Sequence, residues 1–546
     1  MALNLTIDGR PVTVDAGATI LDAARLSGID IPTLCHRDGL GPFASCFMCA
    51  VSVDGRDDLV PACAAPARDG MVVSTDSEDV REARRAALEL LLSDHVGDCV
   101  APCSLACPAG LDIPGFLWHM AEGRDREAIA LVRERLPLPA TLGRICPRYC
   151  ERVCRRADRE EAIAICLLHR FAADVDLASS DPYEPPRAEP TGRSVAIVGA
   201  GPAGLSAAFY LLRQGHGCTL YDSRDEPGGA LRYALAEDRL PRRVLEGEIG
   251  MIRRLGAGFR MSTTVGTRAR LEELRREHDA VFLAFGAQVC EGAQAREGEP
   301  SERKVDSALC GALGIETGRR GIKVDGRTLR TGIEGVFAGG EAVTGTSSAV
   351  RAVAAGRLAA VCIGQHLSGG PLRGEEREVN VHMGRLSEGE LAELFRDVRQ
   401  RPRAPAQADG GLSEADARRE AARCLQCDCA ARDDCKLRIY ATRYGARAAR
   451  HRGERRAFRR DATHPHVVYE SGKCILCGLC VRIAEREGER VGLTFLRRGF
   501  AAEVGVPFDA SVAEALTQCA DLCAEACPTG ALALKRRSNP LEQSGG

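Results

Sequence analysis

Cysteine carries most of the chemistry this chain could perform. Its 546 residues include 25 cysteines, and most stand in groups spaced closely enough for their thiolates to serve one metal centre. Four lie early, as Cys35-x10-Cys46-x2-Cys49-x13-Cys63. A second set reads His95-x3-Cys99-x3-Cys103-x3-Cys107-Pro108, followed by Cys146-x3-Cys150-x3-Cys154. Further on, Cys424-x2-Cys427-x-Cys429-x5-Cys435 packs four thiols into twelve residues. Cys474-x2-Cys477-x2-Cys480 follows, and Cys519-x3-Cys523-x3-Cys527-Pro528 closes the series. Soft, anionic thiolates suit iron–sulfur cores and zinc. Structural zinc usually takes two separated pairs, so the company of so many groups favours iron, with zinc as the alternative.

The second chemistry is nucleotide binding. Val195-Ala196-Ile197-Val198 leads into Gly199-Ala200-Gly201-Pro202-Ala203-Gly204 and an apolar helical run. In such a strand–loop–helix, the first glycine makes the tight turn and the second lets the backbone approach a pyrophosphate at a helix N-terminus. Asp222 ends the next strand pattern, where a carboxylate can accept from a ribose hydroxyl. No nucleophile triad, paired acid–base carboxylates or open zinc site accompanies these motifs, so no catalytic side chain is assigned.

The elements that must hold these residues follow from composition and pattern. Lys+Arg 74 against Asp+Glu 76 gives a formal charge of -2; hydrophobic content is 45% and charged content 27%. Those values are ordinary for folded protein and exclude disorder, collagen and coiled coil. The length fits three or four domains. Met1 runs directly into the strand alternation Leu3, Leu5, Ile7 with no basic leader region. The reading is therefore cytoplasmic, where reduced thiols bind metal rather than pair. Val195 to Leu212 is uncharged and long enough to raise a membrane span, but its glycines and Pro202 favour a strand–turn–helix. The Arg-rich run Arg443 to Arg460 lacks an aromatic platform or reading motif, so no nucleic-acid partner is expected.

The organisation read along the chain is multidomain, α+β and α/β. Residues 1–80 read as a strand-rich, β-grasp ferredoxin-like [2Fe–2S] domain. Residues 81–180 are helical, with room for two [4Fe–4S] clusters. Residues 190–368 alternate strand and helix as an FAD-type Rossmann domain. Residues 369–415 read as a linker, 416–470 as a compact cysteine region, 471–535 as a ferredoxin-like [4Fe–4S] domain, and 536–546 as a tail.

Resemblances sharpen this. The first group resembles the N-terminal [2Fe–2S] domain of the large iron–sulfur subunit of respiratory complex I and of related hydrogenases. Residues 99–180 resemble the N-terminal domain of the glutamate synthase small subunit and of dihydropyrimidine dehydrogenase. The match rests on Cys107-Pro108, Ile113-Pro114, Gly143-Arg144-Ile145-Cys146-Pro147 and Cys150-x3-Cys154. That resemblance implies two interleaved [4Fe–4S] clusters, one on Cys99, Cys103 and Cys154, the other on Cys107, Cys146 and Cys150. For the fourth ligands it points to His95, as in a His-ligated complex I cluster, and to His169, where the family carries Gln or Glu; Cys166 is the rival to His169. Cys474, Cys477 and Cys480 resemble a bacterial ferredoxin run closed by a distant Cys-Pro, as in the complex I subunit. This implies Cys527 as the fourth ligand, with Cys523 second and Cys519 structural.

The nucleotide domain resembles two-domain flavoproteins. Glu226-Pro227-Gly228-Gly229, the return strand to Phe285-Gly286, and Gly335-Val336-Phe337-Ala338-Gly339-Gly340-Glu341 match their flavin motifs. The resemblance implies FAD on Gly199, Gly201, Gly204, Asp222, Gly228, Gly229, Gly286, Gly340 and Glu341. Those relatives place an NAD(P)H domain between the return turn and the second flavin motif. Here only Gln288 to Gly332 fills that interval, too short for a domain of roughly 100 residues. The expected cofactors are one FAD, one [2Fe–2S] and up to four [4Fe–4S] clusters. The expected function is an electron-transfer subunit whose partners are other subunits of a redox complex, such as a formate dehydrogenase or hydrogenase catalytic subunit. The alternatives are a self-sufficient NAD(P)H:acceptor oxidoreductase of glutamate synthase small-subunit type and a zinc-stabilised interaction scaffold.

Overall fold

The computed structural model describes residues 2–286, 306–345, 348–396, 398–408, 410–451 and 453–535. The expected tail, 536–546, and residues 287–305 of the short interval lie outside them. The described chain forms two compact units. One comprises residues 2–101, 377–399 and 425–535; the other comprises 102–376 and 400–424. The second unit is thus an insertion in the sequence of the first.

In the first unit, the strand Ala2–Ile7 pairs antiparallel with Arg10–Asp15 and parallel with Val72–Ser74. Ala50–Val53 runs antiparallel to Val72–Ser74 and to Val60–Pro61. Leu5 and Ile7 are buried and alternate with more exposed neighbours, as a sheet with one covered face requires. The helix Ile20–Leu26 starts at a capping box in which the Thr19 and Asp22 side chains bond each other's backbone amides. It buries Ile20, Leu21, Ala23 and Ala24 in the same core. The helix Glu78–Ser93, capped by Ser77, then delivers the chain to His95. The C-terminal part is a three-stranded antiparallel sheet of Arg460–Asp461, Val467–Glu470 and Leu532–Leu534. The helices Leu479–Arg486 and Ala520–Ala526 contribute to its core.

Part of the stretch expected as a linker is built into this unit. The Val379 amide donates to Thr442 Oγ1 at 2.9 Å and the Met383 amide to Asp98 at 2.8 Å. The helix Glu388–Phe395 has its own Ser387/Glu390 capping box. Polar composition reports side chains that face water, not a backbone without partners.

The second unit joins a helical part to a parallel sheet. The helices Ile113–Ala121, Asp125–Arg133, Pro139–Ile145 and Ile165–Ala178 share one continuous core with the sheet and its covering helices. The sheet order is Val336–Ala338, Ala280–Leu283, Ser194–Val198, Gly217–Tyr221, Gly258–Arg260, all parallel. Its central strands are buried apolar runs, as a sheet covered on both faces demands. The uncharged stretch resolves into the strand Ser194–Val198 and the helix Pro202–Arg213. Among the described residues no helix is long and apolar enough to cross a membrane.

Candidate metal centres and dinucleotide site

The early cysteines converge. Cys35, Cys46, Cys49 and Cys63 are all buried. Cys49 leads into the strand Ala50–Val53 and Cys63 follows Val60–Pro61, so antiparallel pairing brings those two together. A thiol–thiol hydrogen bond with Cys46 holds Cys35 down to about 5, and one with Cys49 lowers Cys63. Ala44 and Phe47 adopt positive φ on either side of Cys46, turning the loop tightly around it. Arg482, on the helix Leu479–Arg486, donates to the Cys35 carbonyl at 3.3 Å and to that of Gly41.

A second convergence joins residues on both sides of the insertion. The Cys429 amide donates to the Cys99 carbonyl at 3.3 Å. Cys99, Cys429 and Cys435 are buried and interact electrostatically with one another. The Cys99 Sγ accepts from the Val381 amide at 3.5 Å, a bond that offsets charge on a thiolate. Burial pushes Cys435 up to about 12. A Cβ on Gly530 would lie 2.0 Å from Cys429 Sγ, so only glycine lets that turn approach so closely. His95 is half-buried and desolvation lowers its pKa to about 4; its Nδ1 is buried without a hydrogen-bond partner. Both His95 and Cys429 feel the buried Lys473, whose Nζ pairs with Glu470. The family resemblance implies a cluster on Cys99, Cys103 and Cys154 with His95 as its fourth ligand. The structure instead sets Cys99 beside Cys429 and Cys435, because the chain returns to this unit after the insertion.

The third group is Cys474, Cys477, Cys480 and Cys527. Burial pushes Cys474 up to about 11 and raises Cys477 and Cys480, and the charge of Cys527 adds to each. The Leu476 amide donates to Cys474 Sγ at 3.4 Å. Thr529, just after the Cys-Pro pair, donates its hydroxyl to the Lys473 carbonyl at 2.9 Å, tying the two ends of the motif. Cys523 instead points its thiol at the Cys480 carbonyl, 3.7 Å away, and lies 3.7 Å from Cys519.

In the second unit, Cys107 interacts electrostatically with Cys146 and Cys150. Cys146 caps the C-terminus of Pro139–Ile145. Cys166, in the first turn of Ile165–Ala178, hydrogen-bonds through its thiol to Cys146 and Cys150. Its bond to Cys146 lowers that thiol to about 7. His169 lies one turn further on; burial lowers it to about 4, and its Nδ1 bonds the Pro139 carbonyl at 3.2 Å. Cys103, Cys154 and Cys424 pack against this unit's core. Just before Cys424, buried Arg423 pairs with Glu420 at 2.8 Å, and that carboxylate also accepts from the Ala164 and Ala404 amides. The compact run Cys424 to Cys435 is therefore divided: Cys424 belongs to this unit, while Cys427, Cys429 and Cys435 belong to the other.

Among the described residues no three His, Cys, Asp or Glu side chains close on a single-ion site. A zinc ion needs four ligands on one centre at about 2.3 Å.

The dinucleotide motifs meet at the head of the helix Pro202–Arg213, which Gly201 caps. Gly199 has φ of 110°, and a Cβ there would strike the Ala284 carbonyl at 2.6 Å; a Cβ on Gly204 would strike the Gly199 carbonyl at 1.9 Å. Gly228 donates its amide to the Ala200 carbonyl at 2.9 Å. A Cβ on Gly229 would lie 2.8 Å from the Gly201 Cα, and one on Gly340 would lie 2.9 Å from the Ala203 Cβ. Glu341 reaches to within 3.6 Å of a Cβ placed on Gly286. Asp222 accepts from the Ala200 amide at 2.7 Å and from Arg224 at 2.9 Å, so it braces the glycine loop as well as offering a carboxylate at the strand end. Backbone amides, small residues and a carboxylate in this arrangement fit a dinucleotide.

Comparisons with known proteins describe the segments separately. Residues 1–78 match the 2Fe-2S iron–sulfur cluster binding domain. Residues 74–180 match the 4Fe-4S cluster domain II of dihydropyrimidine dehydrogenase, and residues 197–247 an NAD(P)-binding Rossmann-like domain. The chain thus carries [2Fe–2S] and [4Fe–4S] domains together with a Rossmann-like segment.

Among its relatives is the NADP(+)-dependent formate dehydrogenase subunit beta of Moorella thermoacetica. It is 38% identical over 207 residues, 34% of this chain and 29% of that one. The NADPH-Fe(3+) oxidoreductase subunit beta of Geobacter sulfurreducens is 39% identical over 190 residues, 34% of this chain and 28% of that one. The NAD-dependent dihydropyrimidine dehydrogenase subunit PreT of Escherichia coli is 36% identical over 208 residues, 38% of this chain and 50% of that one. The chain spans half or less of the length of each of these relatives. A crystal structure of an NAD+-reducing [NiFe]-hydrogenase aligns over 98% of this chain and 88% of that one at 13% identity and a TM-score of 0.34, too low to argue from.

Proposed function

We propose that this chain is an FAD- and iron–sulfur-dependent electron-transfer subunit of a cytoplasmic oxidoreductase complex. The observation that carries the reading is the gathering of cysteines from distant segments into several separate soft-donor groups, beside one glycine-built dinucleotide cradle. When bound, a flavin exchanges electrons in pairs and the clusters pass them singly, so together they join two-electron and one-electron chemistry.

The protein's own residues divide that task. Cys35, Cys46, Cys49 and Cys63 would hold a [2Fe–2S] cluster. His95, Cys99, Cys429 and Cys435 would hold a [4Fe–4S] cluster, the neutral imidazole supplying a nitrogen ligand. Cys474, Cys477, Cys480 and Cys527 would hold another. In the second unit, Cys107, Cys146 and Cys150 define a further site, and Cys103, Cys154 and Cys424 contribute to a fourth [4Fe–4S]. Gly199, Gly201, Gly204, Asp222, Gly228, Gly229, Gly286, Gly340 and Glu341 would cradle FAD. The relatives named as formate dehydrogenase and NADPH-Fe(3+) oxidoreductase subunits support a partner of the same kind, a catalytic subunit that delivers or withdraws electrons.

One observation favours a second reading. The segment 197–247 matches a domain described as NAD(P)-binding, and the relatives carry NAD or NADP in their names. On that reading the chain oxidises a nicotinamide nucleotide itself. Hydride transfer needs the nicotinamide stacked on the flavin and held by a site for its own pyrophosphate and ribose. The chain has one such glycine fingerprint, and the flavin motifs around it claim it. Stopped-flow mixing separates the readings: the isolated chain's flavin is expected to be reduced by dithionite but only very slowly by NADH or NADPH. Reduction by either nucleotide at catalytic rates would replace the subunit reading with the self-sufficient enzyme.

A further inference from the structure

A buried lysine runs between two of the candidate cluster segments. We propose that the Lys473 ammonium is the charge partner of the [4Fe–4S] site on His95, Cys99, Cys429 and Cys435, raising that cluster's midpoint potential without touching iron. The proposal rests on the multicluster reading above and deepens it for one cluster.

Contacts of backbone and side chain place the residue. The Val96 amide donates to the Gly472 carbonyl at 2.7 Å, and a Cβ on Gly472 would lie 2.8 Å from the Val96 carbonyl oxygen. The segment between His95 and Cys99 is therefore pinned to the turn just before Cys474. Lys473 lays its stem along that segment: a Cβ on Gly97 would lie 2.5 Å from the Lys473 Cε and 2.9 Å from its Cγ. Gly97 stands midway between His95 and Cys99, so the end of the side chain reaches the middle of the stretch that carries both. The Lys473 carbonyl is fixed in turn by the Thr529 hydroxyl at 2.9 Å.

The charge is held where solvent screens it least. Lys473 is 2% exposed, and its Nζ pairs with Glu470, the partner a buried ammonium needs to stay charged. The pair does not cancel at the ligands. Burial is the largest influence on His95 and on Cys429; among charges, Lys473 acts on each more strongly than Glu470 does. The neighbouring Arg456 is already balanced by Asp94 at 2.7 Å. Reduction adds negative charge to a cluster, so an ammonium that is not fully offset favours the reduced form and raises the potential.

Lys473→Met keeps an apolar stem against Gly97 and removes the charge. In EPR-monitored redox titration of the full-length, anaerobically purified chain, the His-ligated cluster is recognised by its nitrogen coupling. Its midpoint potential should be lower in Lys473→Met than in wild type, with iron content and nitrogen coupling unchanged. A merely structural role would not move the potential of an intact cluster. An unchanged potential in the iron-replete variant would overturn the proposal. If Lys473→Met does not load iron, Gly97→Ala decides with Lys473 in place. Its added methyl group displaces the lysine end from the segment between His95 and Cys99 and should lower the same potential; an unchanged value would overturn the proposal. Failure of the larger reading looks different: wild-type iron near two atoms per chain, or no cluster with nitrogen coupling, would remove the site itself.

Discussion

Desolvation lowers the His95 imidazole to about 4, so it is neutral throughout the physiological range, the form that can bind iron. His95→Cys is expected to keep its cluster and lower that cluster's midpoint potential, because a thiolate adds negative charge that a neutral ring does not. EPR-monitored titration reads the shift; an unchanged set of potentials would remove His95 from the ligand shell. A different buried residue sets a pH dependence. Glu248 accepts the Ala140 amide at 2.6 Å and the Thr141 amide at 3.0 Å, yet burial raises it to about 7. Its folded pKa lies above its unfolded one, so it favours folding most below about pH 4.5, and that contribution is lost as pH rises through 7. The slope is worth at most roughly 3 kcal/mol. Thermal melts of wild type should gain stability on going from pH 8 to pH 5.5, and Glu248→Gln should flatten that gain. An equally steep profile in the variant would place the titration elsewhere.

Elements built by local pattern were the most legible in the sequence. Cys35, Cys46, Cys49 and Cys63 lie on the loops of one small sheet domain, so their closeness in sequence already groups them. The strand, glycine turn and helix from Val195 onward also follow from neighbours in sequence. Spacing says least about cysteines that lie on opposite sides of the inserted unit. Cys99 and Cys429 are 330 residues apart, and no spacing rule connects them; their joining amide–carbonyl bond appears only in the fold. Likewise Cys424 and Cys429 look like one compact site, yet the chain passes between units within those few residues. Two substitutions test how the elements act. Gly204→Val would force side-chain atoms against the Gly199 carbonyl, so the purified protein should lose its flavin and keep its iron. Retained flavin would move the dinucleotide away from this helix. Arg423→Ala leaves the buried Glu420 carboxylate with backbone amides but no charge partner and should cost about 3–5 kcal/mol in chemical denaturation. A loss below about 1 kcal/mol would mean the pair does not hold that segment.

For the molecule as a whole, the architecture is a cluster-bearing unit interrupted in sequence by a second unit that joins more cysteine sites to a dinucleotide fold. Each helical ligand segment of the second unit shares its core with the sheet, so cluster sites and cradle are parts of one folded body there. Such an arrangement is suited to passing electrons. Its central claim is a stoichiometry. Iron, sulfide, zinc and flavin analysis of the anaerobically purified chain should return about 18 iron atoms, for one [2Fe–2S] and four [4Fe–4S] clusters, and one FAD. Iron near two atoms per chain, with zinc in the remaining cysteine sites and no flavin, would contradict it and leave a metal-stabilised scaffold in its place.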